Sequence, residues 1–481
     1  MQGATMDTIH SSSPEHVTQA IRQLVERART AQRRFSTFDQ QRIDEAVLAV
    51  GWAIMEPERN RRLAEQAVSD TGLGNVPDKI RKNHRKTLGL LRDLEGAKSI
   101  GVIHRDTNKG ITEIARPAGV VAAITPSTNP GATPANKIIN AIKCGNAIIV
   151  APSPKGAGTS RLLLEFIHAE FDLIDVPRDL VQMLPEPISK AATAALMQEA
   201  DLVVATGSQA NVRMAHTSGT PAFGVGAGNV TVVVDESADL QTAASLIRQS
   251  KTFDNATSCS SENSVIIEAS VYDAMLAALS DEGGVMLDAN SKCRLQDLMW
   301  KDGKLSATFS GKDAAQIMQT ANIDNTQNGT EPRFLMVQEE GFGQGHPFSG
   351  EKLAPVLTVY KADDFEHAKR IAEAIYGYMG AGHSIGLHTS RPERAQDLGL
   401  TLPVSRVIVN QAHCFATGGN FDNGLPFSLS MGCGTWGGNS FSDNMNYRHY
   451  MNITRVVQTI TAQEPQAETM FSHYLEKFHH V

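Results

Sequence analysis

The spacing of apolar positions divides the chain into segments of different predicted structure. Residues 14–70 repeat apolar side chains at helical spacing, as in VTQAIRQLVERARTAQ, and Pro57 interrupts the pattern. This predicts an N-terminal layer of helices. Short apolar runs then alternate with helical patterns, and the runs are VVAAIT (120–125), NAIIVA (146–151), VQML (181–184) and LVVAT (202–206). Strands and helices alternating at this spacing predict an α/β fold with a doubly wound parallel sheet.

A second α/β unit follows, from about Thr231 to Leu425. Its first strands are predicted at TVVV (231–234) and at Ser264–Ile267, with the helical pattern of DLQTAASLIRQSK between them. Two further segments have a different pattern. Residues 99–117 predict a polar β-hairpin around Asn108-Lys109-Gly110, and the tail from MNITRVVQTI onward predicts a β-ribbon and then a short helix.

Length and composition restrict the class of protein. The 481 residues are too many for one compact core and predict two or three domains. The hydrophobic fraction of 41% and the charged fraction of 20% are typical of a soluble globular protein. A net charge of −8 gives no basic footprint, so we predict no nucleic-acid partner. The N-terminus lacks the apolar core of a signal peptide and no long apolar run occurs, so we expect neither secretion nor membrane insertion.

The cysteines and histidines give no metal-site pattern. Five cysteines stand at positions 144, 259, 293, 414 and 433 without a CxxC pair. Their odd number and scattered positions argue against a disulfide framework or a zinc site and favour a reducing cytoplasm. His383 and His413 have no third ligand at metal spacing. We therefore predict no metal site and expect both histidines to fill ordinary polar roles.

Cys259 is the candidate nucleophile. It lies in a predicted helix-to-strand loop, among the small polar residues of the segment TFDNATSCSSENS (252–264). Such neighbours predict an accessible thiol, and its thiolate would need little help from loop amides to react at neutral pH. A structural cysteine is the alternative from the loop alone.

One strand-to-helix turn is suited to a phosphate group. Thr206-Gly207-Ser208 would expose backbone amides at a helix N-terminus and so cradle a pyrophosphate, although an ordinary turn has the same pattern. Two glycine runs are rejected as nucleotide fingerprints. GVGAGN (224–229) is followed by a strand, and GFGQGH (341–346) does not follow one.

The segment around Cys259 resembles the nucleophile segment of the aldehyde dehydrogenase superfamily, in which an aromatic-x-Asn element precedes the catalytic cysteine. Phe253 and Asn255 match that element. In the hydrolytic members a Glu, the general base for water, stands at the position of Gly224 and is followed by Leu-Gly-Gly. The coenzyme A-acylating branch shares the absence of this Glu, so the chain resembles that branch.

The resemblance implies the other site residues. TPSTNPGATPANK (125–137) is similar to the oxyanion loop, with either Thr128 or Asn129 as the donor. Ala151 stands where many relatives carry a Lys for the adenosine ribose, which leaves NAD and NADP both open, and Ser153, Lys155 and Arg161 are candidates for a 2′-phosphate. Glu351 would hold the nicotinamide ribose and Leu353 would pack on the ring. The full set of implied cofactor-binding residues is Thr125, Pro126, Ser153, Thr206, Gly207, Ser208, Gly226, Glu351 and Leu353.

The resemblance also implies a domain division and an assembly. Residues 1–98 and 118–226 would form the nicotinamide cofactor domain, and residues 227–436 the catalytic domain with the nucleophilic cysteine. Residues 99–117 and 437–481 would form a small β oligomerisation ribbon, so that the chain assembles as a homodimer or homotetramer.

The activity implied is the interconversion of an aldehyde and an acyl-CoA, with coenzyme A as co-substrate and the nicotinamide cofactor as oxidant or reductant, in either direction. The resemblance is greatest to members that act on sulfoacetaldehyde, with acetaldehyde and succinate semialdehyde as alternatives. Arg448, His449 and Arg455 are candidate partners for an anionic substrate. A hydrolytic dehydrogenase is disfavoured by Gly224, and a non-catalytic structural protein of the same fold is disfavoured by Cys259 and Glu351.

Overall fold

The computed structural model describes residues 14–324 and 331–479. The helices are α1 (Pro14–Phe35), α2 (Gln40–Met55), α3 (Pro57–Thr71), α4 (Val76–Leu94), α5 (Ala132–Lys143), α6 (Ala157–Leu173), α7 (Lys190–Glu199), α8 (Gln209–His216), α9 (Leu240–Thr252), α10 (Tyr272–Asp281), α11 (Ala289–Met299), α12 (Ala314–Thr320), α13 (Phe365–Tyr378), α14 (Pro392–Thr401), α15 (His413–Ala416) and α16 (Ala467–Phe478). The strands are β1 (Gly101–Asp106), β2 (Ile111–Pro117), β3 (Val120–Thr125), β4 (Ala147–Pro152), β5 (Val181–Met183), β6 (Leu202–Thr206), β7 (Ala222–Val225), β8 (Val230–Val234), β9 (Glu262–Glu268), β10 (Gly284–Met286), β11 (Trp300–Lys301), β12 (Lys304–Leu305), β13 (Phe334–Gln338), β14 (Val356–Ala362), β15 (Ile385–His388), β16 (Val407–Val409) and β17 (Met451–Val457).

The first sheet is parallel throughout, with the strand order β5-β4-β3-β6-β7. Its central strands β3 and β4 are buried along their whole length, which explains why they appear in the sequence as continuous apolar runs. Helices α1 and α5 both pack on β3 and β4, and α2 packs on α5 and α6. The doubly wound α/β fold is therefore confirmed, and the four predicted strands agree with β3 to β6 to within a residue at each end.

The second sheet has seven parallel strands in the order β10-β13-β14-β9-β8-β15-β16. Strand β9 lies near its centre, is buried from end to end, and begins directly after the loop that carries Cys259. The apolar side chains of the two units form separate buried clusters. Phe427, Met445 and Tyr450 return to the cluster of the first unit, so the division into domains remains a prediction.

The third sheet is the antiparallel ribbon β1-β2-β17, as the sequence predicts. Strand β17 pairs with β2 from Met451 opposite Pro117 to Val457 opposite Ile111. Most of β17 is exposed, and the helix α16 that follows has no buried residue. Within residues 14–324 and 331–479 no helix is long and apolar enough to cross a bilayer.

Candidate active site

The loop before Cys259 is built on an unusual backbone. Asp254, Asn255 and Ala256 follow α9 with φ values of 50°, 52° and 58°, in the left-handed region that costs non-glycine residues energy. The Asp254 carboxylate compensates because it accepts hydrogen bonds from the Lys82 amine at 2.5 Å and from the Thr257 hydroxyl at 2.7 Å. These bonds fix the path of the loop toward Cys259.

Cys259 is paired with a histidine from the second sheet. Its Sγ lies 3.7 Å from Nε2 of His383, and the other ring nitrogen of His383 lies 2.7 Å from the Ser384 hydroxyl. Gly228 makes this approach possible, because a Cβ there would lie 2.7 Å from the Cys259 carbonyl oxygen and 2.9 Å from the His383 ring. The predicted helix-to-strand loop is thus confirmed, and the contact with Cys259 places His383 where it can accept a proton.

Burial sets the protonation of this pair. Cys259 is half-buried, and burial together with the neighbouring Glu351 carboxylate raises the pKa of its thiol to about 12. Burial lowers the pKa of His383 to about 3. The resting pair is therefore a thiol beside a neutral imidazole. Partial exposure agrees with the predicted access to the thiol, whereas the raised pKa indicates that the thiol needs a base to react.

The oxyanion-loop residues lie between α4 and Cys259. Oδ1 of Asn129 accepts a hydrogen bond from the Lys82 amine at 2.7 Å. Because a lysine only donates, this bond orients the Asn129 amide so that its NH₂ group is available to donate. Asn129 lines a narrow pocket with Ser258 and Ser260, the neighbours of Cys259. Thr128 does not line this pocket, which favours Asn129 as the proposed donor.

The residues expected to bind the pyrophosphate and adenosine meet at one edge of the first sheet. Thr125 ends β3, Ser153 follows β4, Thr206 ends β6 and Gly226 follows β7, and these strands are parallel. Pro126 directly follows β3, and Gly207 and Ser208 directly follow β6. The Ser208 hydroxyl caps α8.

The features of this edge suit a dinucleotide. The Thr125 hydroxyl is buried without a partner among the described residues, and Gly207 has a φ of 158°. A Cβ on Gly226 would lie 2.5 Å from the Gln209 side chain. Arg161 is paired with Glu186 at 2.7 Å, so it is engaged elsewhere.

Glu351 and Leu353 lie at the junction with the second sheet. Oε1 of Glu351 is buried and has no hydrogen-bond partner in the described part of the chain, and burial raises the pKa of this carboxyl to about 8. An unpartnered buried acceptor fits a ligand hydroxyl such as that of a ribose. Leu353 has a φ of 47°, a strained value for a bulky residue and a feature common at ligand sites.

Several candidates lie away from Cys259 or are already engaged. Arg455 pairs with Glu113 in the ribbon at 2.9 Å and His449 pairs with Asp443 at 3.1 Å. Arg448 stacks against its neighbour Tyr447. A contact of Arg448, His449 or Arg455 with an anionic substrate therefore stays a prediction, since each of these residues already has a partner in the chain.

The neighbours of Gly224, which stands at the position of the water-activating Glu, and of His413 are also defined by the structure. A Cβ on Gly224 would meet the side chains of Val212 and His216 on α8. Nδ1 of His413 contacts the Ser260 carbonyl oxygen at 3.0 Å. Among the residues that the structure describes, no group of three potential metal ligands occurs.

Sequence reasoning missed the basic face of α4. Lys79, Lys82 and Lys86 are buried although they are charged, and Arg85 is partly buried beside them. The signal was their spacing, because 79, 82 and 86 fall on one helical face where a core-facing helix normally has apolar residues. Buried lysines need a polar or anionic environment, so this face points to the site.

Comparison with known proteins agrees with this fold and site. Residues 1–287 match the model of the aldehyde dehydrogenase family. An acylating sulfoacetaldehyde dehydrogenase from Cupriavidus necator is 63% identical, over 95% of this chain and 93% of the relative. Another acylating sulfoacetaldehyde dehydrogenase, from Bilophila wadsworthia, is 40% identical over 95% of this chain and 99% of the relative.

Among solved structures, an acetylating aldehyde dehydrogenase from Geobacillus thermoglucosidasius superposes with a TM-score of 0.89 at 33% identity, covering 94% of this chain and 99% of that one. The similarity to all three proteins extends over nearly the whole length of both partners. The chain therefore belongs to the aldehyde dehydrogenase family and, within it, to the acylating branch.

Proposed function

We propose that this protein is an aldehyde dehydrogenase that converts an aldehyde, NAD(P)⁺ and coenzyme A into an acyl-CoA and NAD(P)H. The single observation that carries the proposal is the contact of 3.7 Å between Cys259 and His383, combined with glycine at position 224. This arrangement provides a nucleophile and a base, but no carboxylate at the position where the hydrolytic members have one.

In the first half-reaction, Sγ of Cys259 attacks the aldehyde carbon and its proton passes to Nε2 of His383. The thiol pKa of about 12 and the imidazole pKa of about 3 make a preformed ion pair unfavourable, so the proton leaves as the carbon–sulfur bond forms. The new oxyanion accepts hydrogen bonds from the Asn129 amide and from the backbone N–H of Cys259. Among the described residues that N–H has no other acceptor than its own side chain.

The nicotinamide cofactor fits the residues present. Thr125, Thr206, Gly207 and Ser208 would hold its pyrophosphate and adenosine side, and Glu351 its ribose. When bound, the cofactor takes up the hydride from the substrate carbon. The protein's part is to hold that carbon as a thiohemiacetal on Cys259, which becomes a thioester when the hydride has left, and to keep the site shielded from water.

The proton taken from Cys259 then leaves His383 for the solvent, which restores the neutral imidazole. In the second half-reaction, the thiol of coenzyme A attacks the thioester and passes its proton to Nε2 of His383. The proton then returns to Cys259 as its sulfur leaves, and acyl-CoA is released. A thiol with a pKa near ~8.5 needs much less help from a weak base than water, whose pKa is about 15.7. A buried histidine of low pKa therefore favours coenzyme A over water as the acceptor.

Sulfoacetaldehyde is the substrate that we propose, because the relative with 63% identity carries that name. Acetaldehyde and succinate semialdehyde are the alternatives. The direct test compares these aldehydes with NAD and with NADP, each with and without coenzyme A, by following NAD(P)H absorbance and identifying the product by mass spectrometry.

Without coenzyme A we expect at most one equivalent of NAD(P)H per Cys259, followed by steady turnover to acyl-CoA when the thiol is added. Without a general base suited to water, the rate of thioester hydrolysis should be lower by a factor on the order of 10²–10⁴. Sustained formation of the free acid without coenzyme A, at the rate seen with it, would move the protein to the hydrolytic branch.

We also propose that the chain works as a homodimer or homotetramer in the cytoplasm. The open ribbon β1-β2-β17 and the exposed apolar residues of α16 support an interface between copies of the chain. A reducing compartment suits the five free thiols, one of which is the nucleophile.

A further inference from the structure

We propose that the basic face of α4, chiefly Arg85 and Lys86, forms the subsite for the sulfonate group of the aldehyde. This assignment rests on the proposed function and specifies which residues select an anionic substrate. The pocket in question is lined on one side by Lys82, Arg85 and Lys86, and on the other by Ser258 and Ser260, the residues that flank Cys259. The proposal requires that a two-carbon substrate bound to Cys259, which lies between Ser258 and Ser260 in the sequence, extend its second carbon into this pocket.

Arg85 and Lys86 are held by neutral partners. Nζ of Lys86 donates to the carbonyl oxygens of Gly418 at 2.7 Å and Gly419 at 3.3 Å. The Arg85 guanidinium donates to the Phe415 carbonyl oxygen at 3.2 Å and to the Asn420 side chain. In the part of the chain that the structure describes, neither cation lies within ion-pair distance of a carboxylate. Each is therefore positioned but its charge is not neutralised.

The charged side chains that line this pocket, Lys82, Arg85 and Lys86, are all cations. Asp254 lies within ion-pair distance of both Lys79 and Lys82, so one carboxylate serves two lysines, and Arg85 and Lys86 add two further cations. Burying charge without a counter-ion is costly, and burial lowers the pKa of Lys86 to about 7. An anion in the pocket would offset this cost and favour the charged form of Lys86.

A sulfonate suits this geometry better than a neutral group. Its three oxygens can accept from a planar guanidinium and an ammonium together, and charge-assisted hydrogen bonds of this kind are about twice as strong as neutral ones. An aromatic ring also lines the pocket, since Phe415 lies 5.0 Å from the Arg85 guanidinium.

The test measures kcat/KM for sulfoacetaldehyde and for acetaldehyde, with coenzyme A present, in Arg85→Gln, Arg85→Lys and Lys86→Met. We expect Arg85→Gln and Lys86→Met each to lower kcat/KM for sulfoacetaldehyde by about 10-fold to 100-fold, and acetaldehyde by less than about threefold. Arg85→Lys should recover part of the loss. Ethanesulfonate should inhibit the wild-type enzyme competitively and the two charge-removing variants more weakly.

The matched control is Arg92→Gln on the same helix, where the arginine pairs with Asp93 at 2.7 Å and is 42% exposed. It should leave the ratio of the two aldehydes unchanged. If Arg85→Gln and Lys86→Met lower kcat/KM for both aldehydes by the same factor, the residues are structural and the subsite assignment is wrong. Variants that lower kcat/KM for neither aldehyde also overturn it.

Two safeguards keep the test decisive. If Lys86→Met does not fold, Arg85→Gln and its rescue by Arg85→Lys carry the test. If the wild-type protein turns over acetaldehyde only with coenzyme A, the proposed function stands even where the subsite fails. Absence of coenzyme A-dependent turnover with every aldehyde would instead overturn the proposed function itself.

Discussion

At the scale of single residues, the neighbourhood of Cys259 distinguishes it from the other thiols of the chain. Cys414 lines the adjacent pocket and its pKa is also raised to about 12 by burial. Only Cys259, among the five free cysteines, lies in hydrogen-bonding contact with a histidine in the described structure. Proximity to a proton acceptor, rather than a low pKa, therefore supports Cys259 as the proposed nucleophile.

Replacing Cys259 with alanine should abolish dehydrogenase activity, by at least about 10³-fold, because the substrate can then form no thioester. The half-buried site tolerates a smaller side chain, so the thermal unfolding midpoint should change little. Cys293→Ala is the control, since Cys293 is exposed on α11. Activity in Cys259→Ala above a few per cent of wild type would contradict the covalent mechanism.

The raised thiol pKa of Cys259 predicts a steep pH dependence of its alkylation in the protein without ligands. Well below a pKa of about 12 the thiolate fraction rises tenfold per pH unit. The rate of iodoacetamide labelling at Cys259, followed by peptide mass spectrometry, should therefore rise about tenfold from pH 7 to 8 and again from 8 to 9. A plateau below pH 9 would show that the thiolate is already stabilised.

The sequence located Cys259 and its loop because both depend on local pattern. The contact between His383 and Cys259 was not predicted, because 124 residues separate them and only the pairing of strands in the second sheet brings them together. Glu351 has no local signal of burial either, because its environment is made by Gly228 and the end of α9. Long-range packing of this kind cannot be obtained from periodicity alone.

At the scale of elements, the connection between α4 and the catalytic turn holds the site together. Lys79 and Lys82 of α4 lie 3.1 Å and 2.5 Å from the Asp254 carboxylate, although 172 residues separate Lys82 from Asp254. Asn75, which caps α4, also donates its backbone N–H to Asp254 at 3.0 Å. One carboxylate therefore fixes a helix of the first unit to the nucleophile loop of the second.

Asp254→Asn should lower the free energy of unfolding by roughly 3–5 kcal/mol, because two buried lysines then lose their counter-charge. The control is Asp302→Asn, an exposed position with nearly the same φ of 51°, which separates the loss of charge from the backbone effect. Denaturant unfolding monitored by circular dichroism gives both values. Equal changes in the two variants would contradict the role of the ion pairs.

The same carboxylate gives a pH dependence with a defined sign. The lysines lower the pKa of Asp254 below its ordinary value of 3.8 against the effect of burial. Its stabilisation is therefore complete above pH 3.8 and is lost as the pH falls through the lower pKa of the folded protein. The difference in stability between wild type and Asp254→Asn should shrink as the pH falls below this value.

At the scale of the whole molecule, the ribbon and α16 present the main uncovered apolar surface. Met470, Phe471, Tyr474 and Phe478 of α16 are all more than half exposed. A helix with an uncovered apolar face at the edge of the fold is typical of an interface with another chain. The sequence predicted both elements from their pattern, but only the structure shows that this face has no partner within the described chain.

The double substitution Phe471→Asp with Tyr474→Asp should shift the assembly toward smaller species, because it places two charges in the proposed contact. Size-exclusion chromatography with light scattering measures the mass directly. Leu400→Asp is the control, an isolated apolar side chain that is 78% exposed on α14. An unchanged mass in the double variant would place the interface elsewhere.

The antiparallel ribbon also sets an order of events during synthesis. Arg455 of β17 and Glu113 of β2, which pair across the ribbon at 2.9 Å, are separated by 342 residues. At cellular rates of translation, β2 waits on the order of tens of seconds for this neighbour. Throughout that interval its backbone donors and acceptors form an open sheet edge on the nascent chain. Pairing of β17 with β2 therefore completes the ribbon and at the same time covers a transient aggregation site.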